Sequence, residues 1–334
     1  MTRTWHSWHL HLDSFSRDLA DRALTTVVAP AVAALEQREP DAPWFFVRYW
    51  QRGPHLRLRC RTACPSSLED VLHERFAQLP APRPTARLTQ RSYRSAVART
   101  AAVGELGVPL DVGELRAPGV YRQAYRPEEH RYGGRRLMDV SEDVFHASSR
   151  AALALVRARA DDRILLTDGL RTLATGIGAL LPPWSGPAPA AGPARPDDMA
   201  VLRTWLSRAL RITEGFLPSA AEGGDEAGRA RREQAALAGA RLAARPRPLL
   251  AALYGNDSQL AELAAKFRTA RTLWCDAERA GCTTVTADAI LGSHLHMAAN
   301  RLGLGGTREL HLMTALERAL AELASAAPHG KEHT

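Results

Sequence analysis

From His55 to Arg61 the residues alternate without a break, with Leu56, Leu58 and Cys60 set against His55, Arg57, Arg59 and Arg61. A β-strand turns successive side chains to opposite faces. The run therefore predicts a half-buried strand with an apolar inner face and an outer face of four cationic or protonatable groups. Like charges side by side on one face are costly unless an anion or a carboxylate answers them. Guanidinium forks bind carboxylates and phosphates through two parallel hydrogen bonds, so the functional reading is an anion-binding sheet face. The competing reading is a solvated edge neutralised by acids elsewhere.

The first ninety residues predict the sheet this strand joins. Trp5 to Leu12 also alternates, Trp8, Leu10 and Leu12 on one side and Trp5, His9 and His11 on the other. Leu19, Ala23, Leu24, Val27, Val28, Val32 and Leu35 recur at helical spacing, with Pro30 bound to bend or interrupt the segment. Pro43 to about Trp50 reads as a second strand, and Gln51-Arg52-Gly53-Pro54 as the turn into the third. Ser66-Ser67-Leu68-Glu69 starts a helix with Leu68, Val71, Leu72, Phe76 and Leu79 as its stripe, and Pro84 to Tyr93 reads as a fourth strand. Strand, helix, strand, strand, helix, strand is the split βαβ order, so an α+β fold with an N-terminal ferredoxin-like antiparallel sheet is expected.

The rest reads as mostly helical. Residues 96–140 look loop-rich, and Ser141-Glu142-Asp143 resembles a helix cap for a segment to Ala158. Further helices are expected at about 164–181, 198–216, 228–254, 257–280, 287–302 and 307–326. Pro182 to Asp197 has linker composition, Gly223 to Gly228 reads as a break, and 328–334 as a disordered tail. The expected organisation is one domain over 1–334, with a sheet part at 1–95, the loop-rich insertion at 96–140 and a helical part at 141–327.

A chain of 334 residues, 45% hydrophobic and 24% charged, is long enough for a substantial core and has the composition of a globular protein. No apolar stretch approaches the ~20 residues that cross a bilayer, and the N-terminus lacks the apolar run of a signal peptide, so a cytoplasmic location without membrane contact is expected. The formal net charge is +8, carried almost wholly by arginine, since Lys266 and Lys331 are the only lysines. Acids are interspersed throughout, which argues against a nucleic-acid partner. Cys60, Cys64, Cys275 and Cys282 form neither a disulfide framework nor a Cys-x-x-Cys pair. His9 and His11 share a strand face, but no third ligand stands at suitable spacing, so no metal is expected.

Two more segments carry chemistry-bearing side chains. Tyr125 to Gly134 brings Glu129, Arg131 and Tyr132 together before two glycines, offering a carboxylate, a cation and a phenol or simply a polar loop with a glycine turn. Ser293 to Gly303 lies on a helix capped by Thr286, where His296 and Asn300, four apart, share a face with Gly292 and Gly303 while His294 points elsewhere.

Taken in order, Trp44-Phe45-Phe46-Val47-Arg48-Tyr49 through Gly53-Pro54-His55-Leu56-Arg57-Leu58-Arg59, then Glu129-x-Arg131-Tyr132-Gly133-Gly134, then His296-Met297-x-x-Asn300-Arg301-Leu302 resemble a known family. It is the C-terminal elimination domain of class I lantibiotic dehydratases, with its free-standing thiopeptide relatives. The resemblance implies one of two activities on a leader-bearing precursor peptide. One joins two dehydroalanines into a central pyridine by a formal [4+2] aza-cycloaddition, losing water and leader; the other eliminates glutamate from glutamylated Ser or Thr. The chain is expected to stand free of a glutamylation domain, and Trp-x-x-Trp-His-Leu-His-Leu looks more like the pyridine synthases. Elimination relatives tend to carry an Asp before the Ser, where this chain reads Phe145-His146-Ala147-Ser148-Ser149. The pyridine synthase is therefore the expected function. A third reading is a non-catalytic scaffold that binds the leader.

The resemblance further implies Arg57 and Arg59 on reacting carbonyls or leaving group, Glu129 as base or salt partner of Arg131, and His296 as the proton-transfer group. Tyr132 or Tyr93 would be the phenolic acid. His55, Tyr93, Asn300, Arg301, His9 and His11 would contact peptide or leader, the leader being held by charge and by strand addition at an exposed sheet edge. Neither activity implies a cofactor, and a homodimer is left open.

Overall fold

The computed structural model describes residues 2–80, 87–103, 109–158, 162–182, 196–216 and 224–326. The chain divides into two compact units that interleave in sequence, Met1–Glu129 with Met138–Arg159 and Asn300–Gly303, and His130–Leu137 with Ala160–Ala299 and Leu304–Thr334.

The first unit holds an antiparallel sheet of β1 (Thr4–His11), β2 (Trp44–Tyr49), β3 (His55–Thr62) and β4 (Gly119–Gln123) in the order β2-β3-β1-β4. This is the expected ferredoxin-like order. Trp8, Leu10, Phe46, Leu56, Leu58 and Cys60, the inward half of each alternation, are at most 1% exposed. The crossover from β1 to β2 runs through α1 (Arg17–Ala23) and α2 (Ala29–Arg38), joined by a π-helical turn at Leu24–Val28. There the Ala29 N–H reaches back five residues to the Leu24 carbonyl. Pro30 lacks an N–H and its ring would strike the carbonyl four residues earlier, and the widened turn accommodates both. The β2–β3 turn places Arg52 at φ +63° and Gly53 at φ +108°, and only glycine takes the second angle without strain.

Several elements differ from expectation. Gln90 to Tyr93 begins α4 (Gln90–Val103), after α3 (Pro65–Ala77), and the fourth strand is Gly119–Gln123. Thr89 and Ser92 cap each other's backbone, with Ser92 N–H on Thr89 Oγ1 at 3.2 Å and Thr89 N–H on Ser92 Oγ at 2.9 Å, a reciprocal arrangement that starts a helix. Residues 84–86 of the expected strand lie outside the described residues. Likewise Ser141 and Glu142 cap nothing. They lie inside α5 (Arg135–Ala158), buried at 0% and 6% exposure, because the helix starts just after Gly134. The stretch 96–140 is therefore not merely loop.

The free edge of β2 is closed by side chains. His146 Nδ1 lies 2.8 Å from the Trp44 carbonyl, the Phe46 N–H donates to Ser149 Oγ at 3.1 Å, and the Asn300 amide both accepts from the Arg48 N–H and donates to the Arg48 carbonyl at 2.9 Å. These are alternate residues of one strand, the ones whose backbone groups face away from β3.

The second unit is helical: α6 (Asp162–Ile177), α7 (Pro196–Phe216), α8 (Gly224–Ala244), α9 (Arg247–Leu253), α10 (Ala261–Arg279), most of α11 (Ala287–Arg301), and α12 (Thr307–Ala326). α12 packs on α7 and α8, and α6 on α9. The span expected as one helix over 228–254 is broken before Pro246, which precedes α9. Gly224 to Gly228 are helical rather than a break, and the linker at 183–195 and the tail lie outside the described residues. Arg171 sits between two buried carboxylates, Asp168 and Asp257, with its Nε 2.6 Å from Asp257. Among the described residues no helix is long and apolar enough to cross a membrane.

Candidate functional site

The outer faces of β1 and β3 meet because their register sets His11 opposite His55 and His9 opposite Arg57. His55 stacks between His11, at 4.3 Å between centroids, and His9, at 4.9 Å. His11 and His55 are 2–3% exposed, while His9 is half-buried. Burial, reinforced by Arg57, Arg59, Arg116 and His11, lowers the His9 pKa to about 3; burial with Arg116, Arg52 and Arg57 lowers His11 to about 4. Burial, then His11, Arg57 and His9 lower His55 to about 2, against a partly offsetting bond to the Gly53 carbonyl. All three imidazoles are therefore uncharged at neutral pH.

Their ligand atoms lie within 4.8 Å of one another, so the third imidazole that the sequence lacked at local spacing is supplied by β3. Proximity is not fit. His55 Nδ1 lies 2.8 Å from the Gly53 carbonyl and its Nε2 accepts from Arg57 Nε at 3.0 Å, so both its nitrogens are engaged. Stacked rings do not converge their lone pairs on one point, and the surrounding arginines disfavour a cation. The residues do not suit a divalent metal.

The same hydrogen bond fixes Arg57. Its Nε is held by His55 and its guanidinium lies 3.5 Å from the centroid of Tyr49, the residue opposite His55 in β2. Arg59, two residues on, stands 5.4 Å from the Phe45 ring and 5.1 Å from Tyr125. Tyr125 packs on Trp5 at 5.3 Å and donates its hydroxyl to Glu142 Oε1 at 2.7 Å. Burial raises the pKa of both, and the Glu142 carboxylate and its hydrogen bond add to the rise at Tyr125.

In the second unit His296, 44% exposed, lies with Nδ1 2.7 Å from Glu309 Oε2, a carboxylate only 6% exposed in the first turn of α12. Thr286 caps α11 as expected, its hydroxyl accepting from Ala289 N–H. His294 points elsewhere, stacked on Trp274 and 4.9 Å from the Tyr132 ring. Gly133 and Gly134 both take positive φ, +83° and +93°. A Cβ on Gly133 would stand 2.6 Å from Leu137 and 2.9 Å from Ile290, so this turn requires glycine.

The expected site residues thus separate. His9, His11, His55, Arg57 and Arg59 form one face in the first unit. Tyr93 is completely buried; its hydroxyl accepts from Arg52 N–H at 2.6 Å and donates to the Val112 carbonyl at 2.7 Å, bracing the β2–β3 turn. Asn300 has its amide on Arg48, and Arg301, 1% exposed, donates to Ser149 Oγ at 2.9 Å. These three contacts are internal. Glu129 and Arg131 are half-buried and belong to different units, and Tyr132 is 3% exposed beside His296's helix neighbour His294. Tyr49, Tyr125, Glu142 and Glu309 were not foreseen as site residues. The alternation of β2 could have placed Tyr49 on the face of His55, whereas Glu142 and Glu309 become visible only once α5 and α12 are in place.

A family model described as "Lantibiotic biosynthesis dehydratase C-term" matches residues 5–320. A search of curated proteins gave no match. Among solved structures, "Pyridine synthase, TbtD, from thiomuracin biosynthesis" is 18% identical with a TM-score of 0.69, over 97% of this chain and 99% of that one. The tRNA-dependent lantibiotic dehydratase MibB from Microbispora sp. 107891 is 24% identical with a TM-score of 0.58, over 97% of this chain, which spans 28% of MibB. TsrL is 17% identical with a TM-score of 0.62, over 98% of this chain and 100% of that one. At these identities the likeness is one of fold.

Proposed function

The chain belongs to the lantibiotic biosynthesis dehydratase C-terminal family, and from that premise we propose that it forms a pyridine ring in a leader-bearing precursor peptide. In this reaction a backbone amide beside one dehydroalanine tautomerises to its imidic acid and adds across a second dehydroalanine. The hydroxylated ring then loses water and, with the leader departing as its amide, becomes aromatic.

The observation that carries the reading is the face around Arg57. An amide carbonyl must be polarised without being handed a full proton. A half-buried, uncharged His9 beside a fixed guanidinium offers hydrogen-bond donors of that kind. A neutral imidazole can polarise a carbonyl as an electrophile, as one does in triosephosphate isomerase. His296, oriented by Glu309, is the proton-transfer group of the second unit. Arg131, with Glu129, would orient the peptide. The leader would be held by the arginine-rich surface and, the β2 edge being closed, by the β4 edge of the sheet.

A second reading is favoured by the His296–Glu309 pair. A carboxylate-oriented imidazole is suited to removing the α-proton of a glutamylated serine.

The test is mass spectrometry of two incubations. One holds a leader-bearing peptide with two dehydroalanines, the other a glutamylated serine peptide. Release of a leader amide and a macrocycle that has also lost water is the expected result. Loss of glutamate with the leader still attached replaces this reading with elimination. Tight, salt-sensitive leader binding with neither product leaves a scaffold and sinks both.

A further inference from the structure

We propose that His55 is the positioning residue of Arg57: the Gly53 carbonyl sets its tautomer, and the bare Nε2 that results holds the guanidinium by its Nε–H. The proposal deepens the reading above by naming how Arg57 is held, and rests on that reading only for the effect on turnover.

A strand turns every second residue to the same face, so His55 and Arg57 are neighbours there and the long arginine can fold back onto the ring. Arg57 Nε lies 3.0 Å from His55 Nε2, and His55 Nδ1 lies 2.8 Å from the Gly53 carbonyl. A guanidinium can only donate and a carbonyl can only accept, so Nε2 must carry the lone pair and Nδ1 the proton. The partners alone decide the tautomer. An imidazolium would set N–H against N–H at Arg57, and the opposite tautomer would lose both bonds.

The ring has no room to turn. His11 stacks on it at 4.3 Å and His9 at 4.9 Å, Tyr49 meets it edge-on at 5.6 Å, and it is 3% exposed, so it reaches a peptide only through its neighbour. The Gly53 carbonyl is equally fixed. The Arg52 N–H donates to the Tyr93 hydroxyl at 2.6 Å and to the Val112 carbonyl at 3.1 Å, and the Gly53 N–H donates to the Trp50 carbonyl at 3.0 Å. A Cβ on Gly53, at φ +108°, would stand 2.8 Å from Leu115 Cδ1, so the turn that supplies this acceptor requires glycine. Arg57 is thereby held at two points, by its Nε and by the Tyr49 face at 3.5 Å. With Nε committed, Arg57 meets a carbonyl or an anion through its terminal nitrogens, on a side chain ordered before the substrate arrives.

The experiment compares the full chain with His55→Gln, His55→Leu, Arg57→Lys and the double variant of the last two. In glutamine an amide oxygen takes the place of Nε2 and can accept from Arg57, whereas leucine cannot. Circular dichroism melting restricts the comparison to folded variants. Nitrogen-15 NMR of the wild type, with the His55 ring assigned by its NOEs to Tyr49, is expected to show Nδ1 protonated and Nε2 bare at neutral pH. The Arg57 Nε–H, identified by its loss in Arg57→Lys, is expected to exchange with water about tenfold faster in His55→Leu. On whichever peptide the wild type converts, His55→Leu is expected to lower kcat about tenfold with KM within about twofold, and His55→Gln to recover most of that loss. The double variant is expected to be no slower than Arg57→Lys alone, because His55 acts through Arg57. A protonated Nε2, or equal exchange at Arg57 in the wild type and His55→Leu, overturns the positioning role. A double variant about tenfold slower than Arg57→Lys also overturns it, since the two losses are then independent. Should no His55 variant fold, the wild-type tautomer decides alone. If the wild type converts neither peptide, the proposed function falls, and the NMR comparisons still decide whether His55 holds Arg57.

Discussion

Lowering the pH from 7.0 to 5.5 should destabilise the first unit through its imidazole stack. His11 and His55, 2–3% exposed, have pKa values near 4 and 2, against an ordinary 6.5. Burial is the largest cause, followed by Arg52, Arg57, Arg116, His9 and the pressure of His11 on His55, with no carboxylate among the principal causes. The folded pKa lies below the unfolded one. Stability is therefore complete above pH 6.5 and is lost as the pH falls toward the folded values, because only the unfolded chain takes up protons. Across this interval each buried imidazole contributes a loss of about 1.2 kcal/mol, and the pair about 2.5 kcal/mol. Glu142, whose pKa is raised, acts in the opposite direction, so the difference from a variant is the clean measure. His11→Phe keeps the ring stack and removes one titration. In urea unfolding followed by circular dichroism at four pH values, the wild type should lose about 1.2 kcal/mol more than His11→Phe. Parallel curves that keep a constant gap would refute the account and mean that these imidazoles do take up protons in the folded chain.

Three further outcomes follow from named contacts. Arg57→Lys keeps the charge but cannot both bond His55 through Nε and lie flat on Tyr49, so turnover should fall about tenfold in the mass-spectrometric assay. Asn300→Ala removes both hydrogen bonds to Arg48, and amide exchange at Arg48 should quicken while the midpoint of denaturation falls by about 1–2 kcal/mol in free energy. Arg171→Ala leaves Asp168 and Asp257 buried without their shared cation, which should cost about 3 kcal/mol by chemical denaturation, whereas exposed Arg318→Ala should cost under about 1 kcal/mol.

The sheet was legible wherever its signal is local. Alternation is a property of neighbours, so β1, β2 and β3, their inward residues and the Arg52–Gly53 turn could all be read along the chain. β4 could not, because five residues on an edge carry too little pattern, while Pro84 to Tyr93 imitates a strand until Thr89 and Ser92 cap it into a helix. Ser141-Glu142-Asp143 has the composition of a cap, yet the helix begins at Arg135, and that shift buried the carboxylate that meets Tyr125. Arg57 and His296 could be singled out by residue type. Their partners could not, since His55 meets His11 through strand register and Glu309 reaches His296 only after the chain turns through Gly303 and Gly306, both at positive φ.

The closed edge of β2 also has a history in time. Trp44, Phe45, Phe46 and Val47 are all buried in the finished protein, and the groups that complete the strand come 102, 103 and 252 residues later. At ~5–20 residues per second, a ribosome takes roughly 13 to 50 seconds to supply Asn300 after Arg48 has been made. During that interval the nascent sheet presents an apolar strand with unpaired backbone groups, the feature through which chains associate with one another. A product stopping short of Asn300 would keep that edge only partly covered, so a chain that ends before this residue should show the loss first as aggregation of its beginning.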